Sequence, residues 1–208
     1  MKESRFTAVI SALIDMVWAG FLWLLCSLPL LTVGASSTAL YYVTVKCVRA
    51  ERGNLTKSFF RCFRDNFRQG TALWLLMLLY VLAGVGDIYV LGRMGVGQDS
   101  ALYHVSRFLL LPAPLLFPWL FAFLSRFENT VGGTLKFSAY LAMRHLGATL
   151  LLAAETAAFL LIVWLIPPLL PLLPGAFCLL MSLSIEPVFR RLTADSNEGD
   201  AWYNEDRG

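Results

Sequence analysis

Glu155 lies near the centre of the apolar run 146–166, and its carboxyl group is the side chain of this protein best placed to do chemistry. Placing an ionisable group in hydrocarbon costs at least about 3 kcal/mol, so such a residue is normally matched by a partner or by water. Two readings follow: a polar contact lining a helix-bundle interior or a substrate path, or a hydrogen bond to a Ser, Thr or Arg of a neighbouring helix. A second set of charges closes two other apolar runs, Arg126 and Glu128 after one, Glu186, Arg190 and Arg191 after another. Expected at one membrane depth, these can pair as a structural clasp between the two helices. Catalytic chemistry is not expected. The histidines, His104 and His145, fall on opposite sides of the expected membrane, as do Asp15 and Asp87, which removes an intramembrane aspartate pair. No H-E-x-x-H, G-x-S-x-G or phosphate-cradling glycine loop is present. Cys26, Cys47, Cys62 and Cys178 form no C-x-x-C and no His-paired metal spacing, so free thiols, no metal and no cofactor are expected.

These side chains must be positioned by helices in a bilayer. The 208 residues are 58% hydrophobic and 15% charged, more apolar surface than a soluble core of this size can hide. A hydrocarbon core about 30 Å thick needs roughly 20 apolar residues to cross. The windows 8–31, 72–92, 106–125 and 146–166 meet that length, and 32–48 and 172–189 are shorter. The expectation is an all-α polytopic membrane protein: a six-helix transmembrane bundle forming a single domain over 1–192, followed by a mobile acidic tail over 193–208. Pro29 should stop the first helix, the Gly84-Val85-Gly86-Asp87 stretch should break the third, and Pro112, Pro114 and Pro118 should bend the fourth. Gly34 to Ala39 is rich in small residues, suited to close helix packing.

Between these windows lie two stretches, 55–69 and 130–145, that read as cytoplasmic interfacial helices. In the first, Asn54 or Thr56 can cap, and Leu55, Phe59, Phe60, Phe63 and Phe67 recur at helical spacing with Lys57, Arg61, Arg64 and Arg68 mostly on the other faces. Such a helix either anchors on anionic lipid or docks a partner, with Phe59, Phe60, Phe63, Arg64 and Phe67 as the docking residues. The order of helix, interfacial stretch, glycine (Gly70, then Gly147) and helix occurs twice, over about 32–92 and 106–166. It is either a parallel internal repeat or one hairpin design reached twice. Lys and Arg crowd the segment from Lys46 to Arg68, whereas Arg93 and Arg107 alone fall on the other side. The bias puts both termini and both interfacial stretches in the cytoplasm. Because these charges flank apolar segments, they face lipid headgroups and not nucleic acid. The tryptophans and Tyr41 and Tyr42 fit interfacial belts or packing, and could serve a sugar site only by converging on a cavity.

The runs WLLCSLPLLTVGASSTALYYVTVKCVR (Trp23 to Arg49), SFFRCFRDNFRQGTALWLL (Ser58 to Leu76), SRFENTVGGTLKFS (Ser125 to Ser138) and IEPVFRR (Ile185 to Arg191) resemble the YesL family of bacterial membrane proteins. The resemblance covers nearly the whole chain and implies an association with carbohydrate-utilisation loci and sugar importers, with no catalytic residue to carry over. The function it implies is an accessory subunit beside the permease of an ATP-driven oligosaccharide importer. The alternative from the residues is a small secondary transporter or channel, acting alone or as a homo-oligomer. A signalling or scaffold role is a third, limited to binding by the shortness of the soluble parts.

Overall fold

The structure, a computed structural model, describes residues 5–49 and 53–194; the acidic tail expected over 193–208 lies, beyond residue 194, outside them. Its described elements are helical. Among the described residues, five helices are long and apolar enough to cross a membrane: Ile10–Ser27, Phe67–Arg93, Ala101–Arg126, Leu146–Leu165 and Leu173–Leu192. That is the make-up of a multi-pass membrane protein, in which each crossing segment bonds its own backbone. The 32–48 window is not among them.

Helix α1 (Arg5–Ser27) ends where Pro29 cannot donate a backbone N–H. A short turn, with Leu30 at φ 49°, reverses the chain into α2 (Val33–Val43), which continues as a π-helical turn over Thr44–Arg49. The antiparallel pair is tied by Trp23 Nε1 donating to Ser37 Oγ at 3.1 Å and by the Ser27 and Ser36 hydroxyls at 2.7 Å. Helix α3 (Leu55–Asp65) is capped by the Asn54 side chain, which accepts from the Lys57 N–H. It buries Leu55, Phe59 and Cys62 in the cluster that α1 and α2 form through Met16, Ala19, Leu40 and Val43. At Asn66 the chain bends into α4 (Phe67–Arg93), so Phe67 belongs to the long helix and not to the amphipathic one.

The expected break at Gly84 to Asp87 does not occur; α4 runs through it. Gly84 instead makes room for a neighbour, since a Cβ there would stand 2.5 Å from Leu110 Cδ2. Asp87 accepts a hydrogen bond from Ser106 of α5 (Ala101–Leu110). Pro112, with no N–H, separates α5 from α6 (Pro112–Arg126), although Leu111 between them keeps helical backbone angles. Helix α7 (Val131–Arg144) is capped by Thr130 as α3 is by Asn54, and leads through His145 into α8 (Leu146–Leu165). A 3₁₀ turn at Pro167–Leu169 delivers the chain to α9 (Leu173–Ala194). The second glycine of the expected repeat departs from the first: Gly70 is wedged against α2, whereas a Cβ at Gly147 would meet nothing within 4 Å.

Helix α2 lies obliquely across the bundle, and the contacts fix this. Gly34 and Ala35 at its start press on Gly70, and one turn further along α4 Leu73 packs with Leu120 and Leu124 of α6. On α6, Phe123 and Phe127 meet the Phe189 ring of α9. The start of α2 is therefore level with the α6–α9 contact around Phe189, Tyr41 reaches Glu186, and Arg49 at its end reaches Ser182. Fifteen residues of helix span roughly 22 Å at 1.5 Å per residue, yet α2 advances along α9 by only the seven residues from Phe189 to Ser182, about 10 Å. A crossing helix would run alongside α9 for most of its length. The segment 33–49 instead occupies the centre, buried from Thr38 through Val48 by the helices around it.

The glycine contact sets how near α2 and α4 can come. A Cβ at Gly70 would lie 2.8 Å from the Ala35 Cα, backbone that cannot swing aside. Gly70→Leu is expected to lower the melting temperature of the detergent-solubilised protein by several degrees, in line with the ~1–3 kcal/mol of overpacked sites. Gly147→Ala should leave it unchanged. Equal melting of both variants would show that the α2–α4 approach is not limiting.

Candidate functional site

Two features share the heart of the bundle, a set of buried charges and an apolar cavity. The charged set begins with Arg126 at the end of α6, whose guanidinium forms an ion pair with Glu186 of α9, the two side chains 4% and 1% exposed. Arg126 also stacks over the Phe189 ring, 5.7 Å to its centroid. Tyr41 of α2 donates to the other carboxylate oxygen at 3.2 Å. One carboxylate thus holds α2, α6 and α9 together. Pro187 follows Glu186 inside α9 and frees the Leu183 carbonyl, the local backbone cost of this position. Of the expected clasp residues, Arg126 and Glu186 are brought together, and Glu128 and Arg190 are exposed.

Of Lys46 and Arg49, both read from sequence as cytoplasmic charges, Lys46 is used inside the protein, whereas Arg49 is exposed and ties the end of the π-helical turn to α9. Lys46 is fully buried, its Nζ donating to the Tyr42 hydroxyl at 2.9 Å and lying 5.2 Å from that ring. Arg49 donates to the Ser182 carbonyl at 3.0 Å. Both sit on the π-helical turn, whose wider winding is common where side chains must be re-aimed. The sequence signal for Lys46 was its place four residues after Tyr42, one helical turn away. A further knot joins three helices: Trp119 Nε1 donates to Thr149 Oγ1 at 3.1 Å, and that hydroxyl donates to the Ala142 carbonyl at 2.8 Å.

The cavity has a volume of about 390 Å³ and is enclosed by α1, α2, α4, α6, α8 and α9. Trp23, Trp74, Phe117, Phe121, Phe159 and Phe177 form its aromatic wall, and Tyr41 joins it to the buried charges. Polar groups among its lining residues are committed to protein partners. Trp23 and Ser37 bond each other, Trp74 donates to the Leu30 carbonyl at 2.7 Å, Thr156 donates to the Leu152 carbonyl at 2.7 Å, and Tyr41 is held by Glu186. Of the tryptophans and tyrosines considered for a sugar site, Trp23, Trp74 and Tyr41 line the cavity and Trp18, Trp119, Trp164 and Tyr42 do not; the polar groups beside them already hold protein partners, so a sugar's many hydroxyls would be left largely unpaired.

Glu155 is not part of that lining. Its carboxyl oxygen Oε2 is buried with no hydrogen-bond partner among the described residues, while Leu151 and Ile162 on either side along α8 are exposed. It lies at the edge of the surface that α8 turns to lipid. On α3, Phe59 is fully buried and so is a core residue, not a docking one. Phe63 is half-buried, stacked on Phe59 with centroids 6.4 Å apart, while Phe60 and Phe67 are exposed and Arg64 is 84% exposed. Burial pushes the Cys62 thiol up to about 12, only partly offset by the Asn66 side chain donating to it.

Residues 16–88 match the model of a protein family of unknown function, DUF624. The DUF624 match runs from within α1 to within α4 and so contains the oblique α2, the buried Lys46 and the Gly34–Gly70 contact. It takes in the first two of the four runs that resemble the YesL family and stops short of Arg126 and Glu186. No curated protein and no solved structure matches the chain.

Removing one member of a buried pair strands the other, typically at about 3–5 kcal/mol, whereas replacing both by apolar groups is often neutral. Arg126→Met and Glu186→Leu should each lower the melting temperature by more than the double variant does. A double variant as unstable as the sum of the singles would show that the two side chains act independently.

Proposed function

We propose that this protein is a non-catalytic accessory subunit that associates within the membrane with the permease of an ATP-driven carbohydrate importer. The observation that carries the reading is Glu155. A carboxyl group with a buried, unpartnered oxygen at the lipid-facing edge of α8 is costly in a lone chain. A hydrogen-bond donor from a neighbouring membrane helix would remove that cost. The exposed Phe60, Arg64 and Phe67 add a second contact surface on the basic side. The kind of importer, one for oligosaccharides, comes from the resemblance to the YesL family. Tagged protein extracted from its native membrane in mild detergent should carry permease subunits into mass spectrometry. Glu155→Leu should reduce their recovery at least fivefold without lowering the melting temperature. Recovery of no transporter subunit with the unaltered chain would count against the proposal, and recovery of its own copies alone would favour a homo-oligomer.

The second reading, a small stand-alone transporter or channel, draws on the prolines of α6 and on the recurring order of helix, capped short helix and helix, read as a parallel repeat. An apolar cavity that Glu155 does not reach speaks against a polar substrate path.

Orientation follows from the basic residues. Helices α4, α5–α6, α8 and α9 carry the chain across an even number of times, so residues 67 and 194 share a side, and Arg61, Arg64 and Arg68 assign it to the cytoplasm. With α2 lying across the bundle, the side of the amino terminus depends on α1, and Lys2 and Arg5 favour the cytoplasm there too. In a cysteine-free background, an impermeant maleimide applied to intact cells should label a cysteine at Gln98 but not at Ser4, Asn66 or Asn129. Labelling at Asn66 in place of Gln98 would invert the orientation; labelling at Ser4 as well as Gln98 would make α1 a full fifth crossing with the termini on opposite sides.

A further inference from the structure

The cavity between α1, α2, α4, α6, α8 and α9 is the feature that the proposed function leaves unused. Its size, lining and mouth narrow what it can hold. A partner helix is too large: a helix about 10 Å across fills roughly 400 Å³ in a single turn, and the cavity measures about 390 Å³ in all. A sugar or other polar solute would find Ser37, Tyr41, Trp23, Trp74 and Thr156 already bonded within the protein, and burying its hydroxyls unpaired would cost roughly 2 kcal/mol or more each. The volume falls within the ~300–1,000 Å³ of small-molecule sites.

The mouth decides the source. Two lining residues are exposed, Pro114 on α6 and Leu160 on α8, the latter 61%. Both lie within segments apolar and long enough to cross a membrane, and Leu160 is followed along α8 by the exposed Leu161 and Ile162. A side opening at such a place faces hydrocarbon. Pro114 and Pro118 both line the cavity from α6, and Pro118 lacks the N–H that would bond the Pro114 carbonyl.

We propose that this cavity is a binding site for a single extended hydrocarbon chain, entering sideways from the bilayer between α6 and α8. The chemistry shared by a phospholipid acyl chain and a polyisoprenyl chain, a flexible apolar tail with its polar head left in the interface, is what the walls accept. The aromatic faces of Trp23, Trp74, Phe117 and Phe177 supply dispersion contacts along its length. Tyr41 bounds the site on the side of the Arg126–Glu186 pair, so the bound chain stops short of the buried charges.

The test uses the full chain in nanodiscs containing either a phospholipid with a diazirine in its acyl chain or a diazirine-bearing polyisoprenyl phosphate, with adducts mapped by mass spectrometry after illumination. Adducts on cavity residues such as Trp23, Phe117 or Phe177 are expected, and the probe that gives more of them identifies the source. Leu160→Trp, at the exposed mouth, should reduce cavity adducts at least fivefold while adducts at the lipid-facing Leu79 and Leu161 stay the same. Val81→Phe, which narrows the cavity from the α4 side, should do likewise and serves if Leu160→Trp does not fold. Adducts confined to lipid-facing positions with both probes would overturn the proposal. So would cavity adducts indifferent to both variants, since they would arise without the mouth.

Discussion

The structure depends on keeping the polar groups of α2 satisfied away from water. Lys46, Arg49 and the hydroxyls of Tyr41 and Tyr42 lie on a helix enclosed by α1, α3, α4, α6 and α9. The fully buried Lys46 would cost several kcal/mol if left alone, and the Tyr42 hydroxyl one turn back on its own helix accepts from it, while the exposed Arg49 and the buried Tyr41 find partners on α9. Ser182 comes from α9 for Arg49, and Glu186 for Tyr41. Glu186 in turn needs a cation, and Arg126 at the end of α6 supplies it. The register of α6 against α9 is thereby tied to the register of both against α2.

The oblique course of α2 follows from the same requirement together with the glycines. Gly34 and Gly70 let α2 and α4 touch backbone to backbone, which puts the start of α2 beside the start of α4. From there its polar groups must reach α9 between Ser182 and Glu186, and the straight path between these points runs across the bundle. Placing α2 so leaves the space on its other side, between the upper lengths of α4, α6, α8 and α9, unfilled by any helix. The aromatic cavity occupies that space. Cavity and buried charges are thus two consequences of one helix placement, with Tyr41 belonging to both.

The surface carries the opposite chemistry. Helix α4 has few buried positions, Gly70 and Leu73, and α8 has Thr149 and Leu152, so most of their side chains face outward and are apolar. In water this would drive aggregation, and in a bilayer it is the solvent-matched state. Against such a surface a half-buried carboxyl group such as Glu155 stands out, because lipid offers it no hydrogen bond.

The membrane class, the five long apolar segments, the amphipathic nature of α3 and a charge clasp among Arg126, Glu128, Glu186 and Arg190, though not which of them pair, were legible in residue order, since each rests on local properties: run length, period and charge at the end of a run. The course of α2 was not. The window 32–48 read as a short, weak crossing segment, because hydropathy counts side chains without saying whether a partner helix or lipid will surround them. Lys46 and Arg49 likewise counted as cytoplasmic charges; Tyr42, four residues before Lys46, was a partner within local reach, whereas Ser182 was supplied to Arg49 only by the tertiary structure. The glycines at 84 and 86 were read as a break for a similar reason: whether a glycine bends a helix or admits a neighbour such as Leu110 depends on what packs there. Phe59 shares its helix and residue type with Phe60, and one is core and the other surface because α1 and α2 cover a single face. Sequence alone determined which segments prefer hydrocarbon. Which of them meet each other was decided by glycine contacts and charge partners far apart along the chain, and their geometry exists only once the helices have packed.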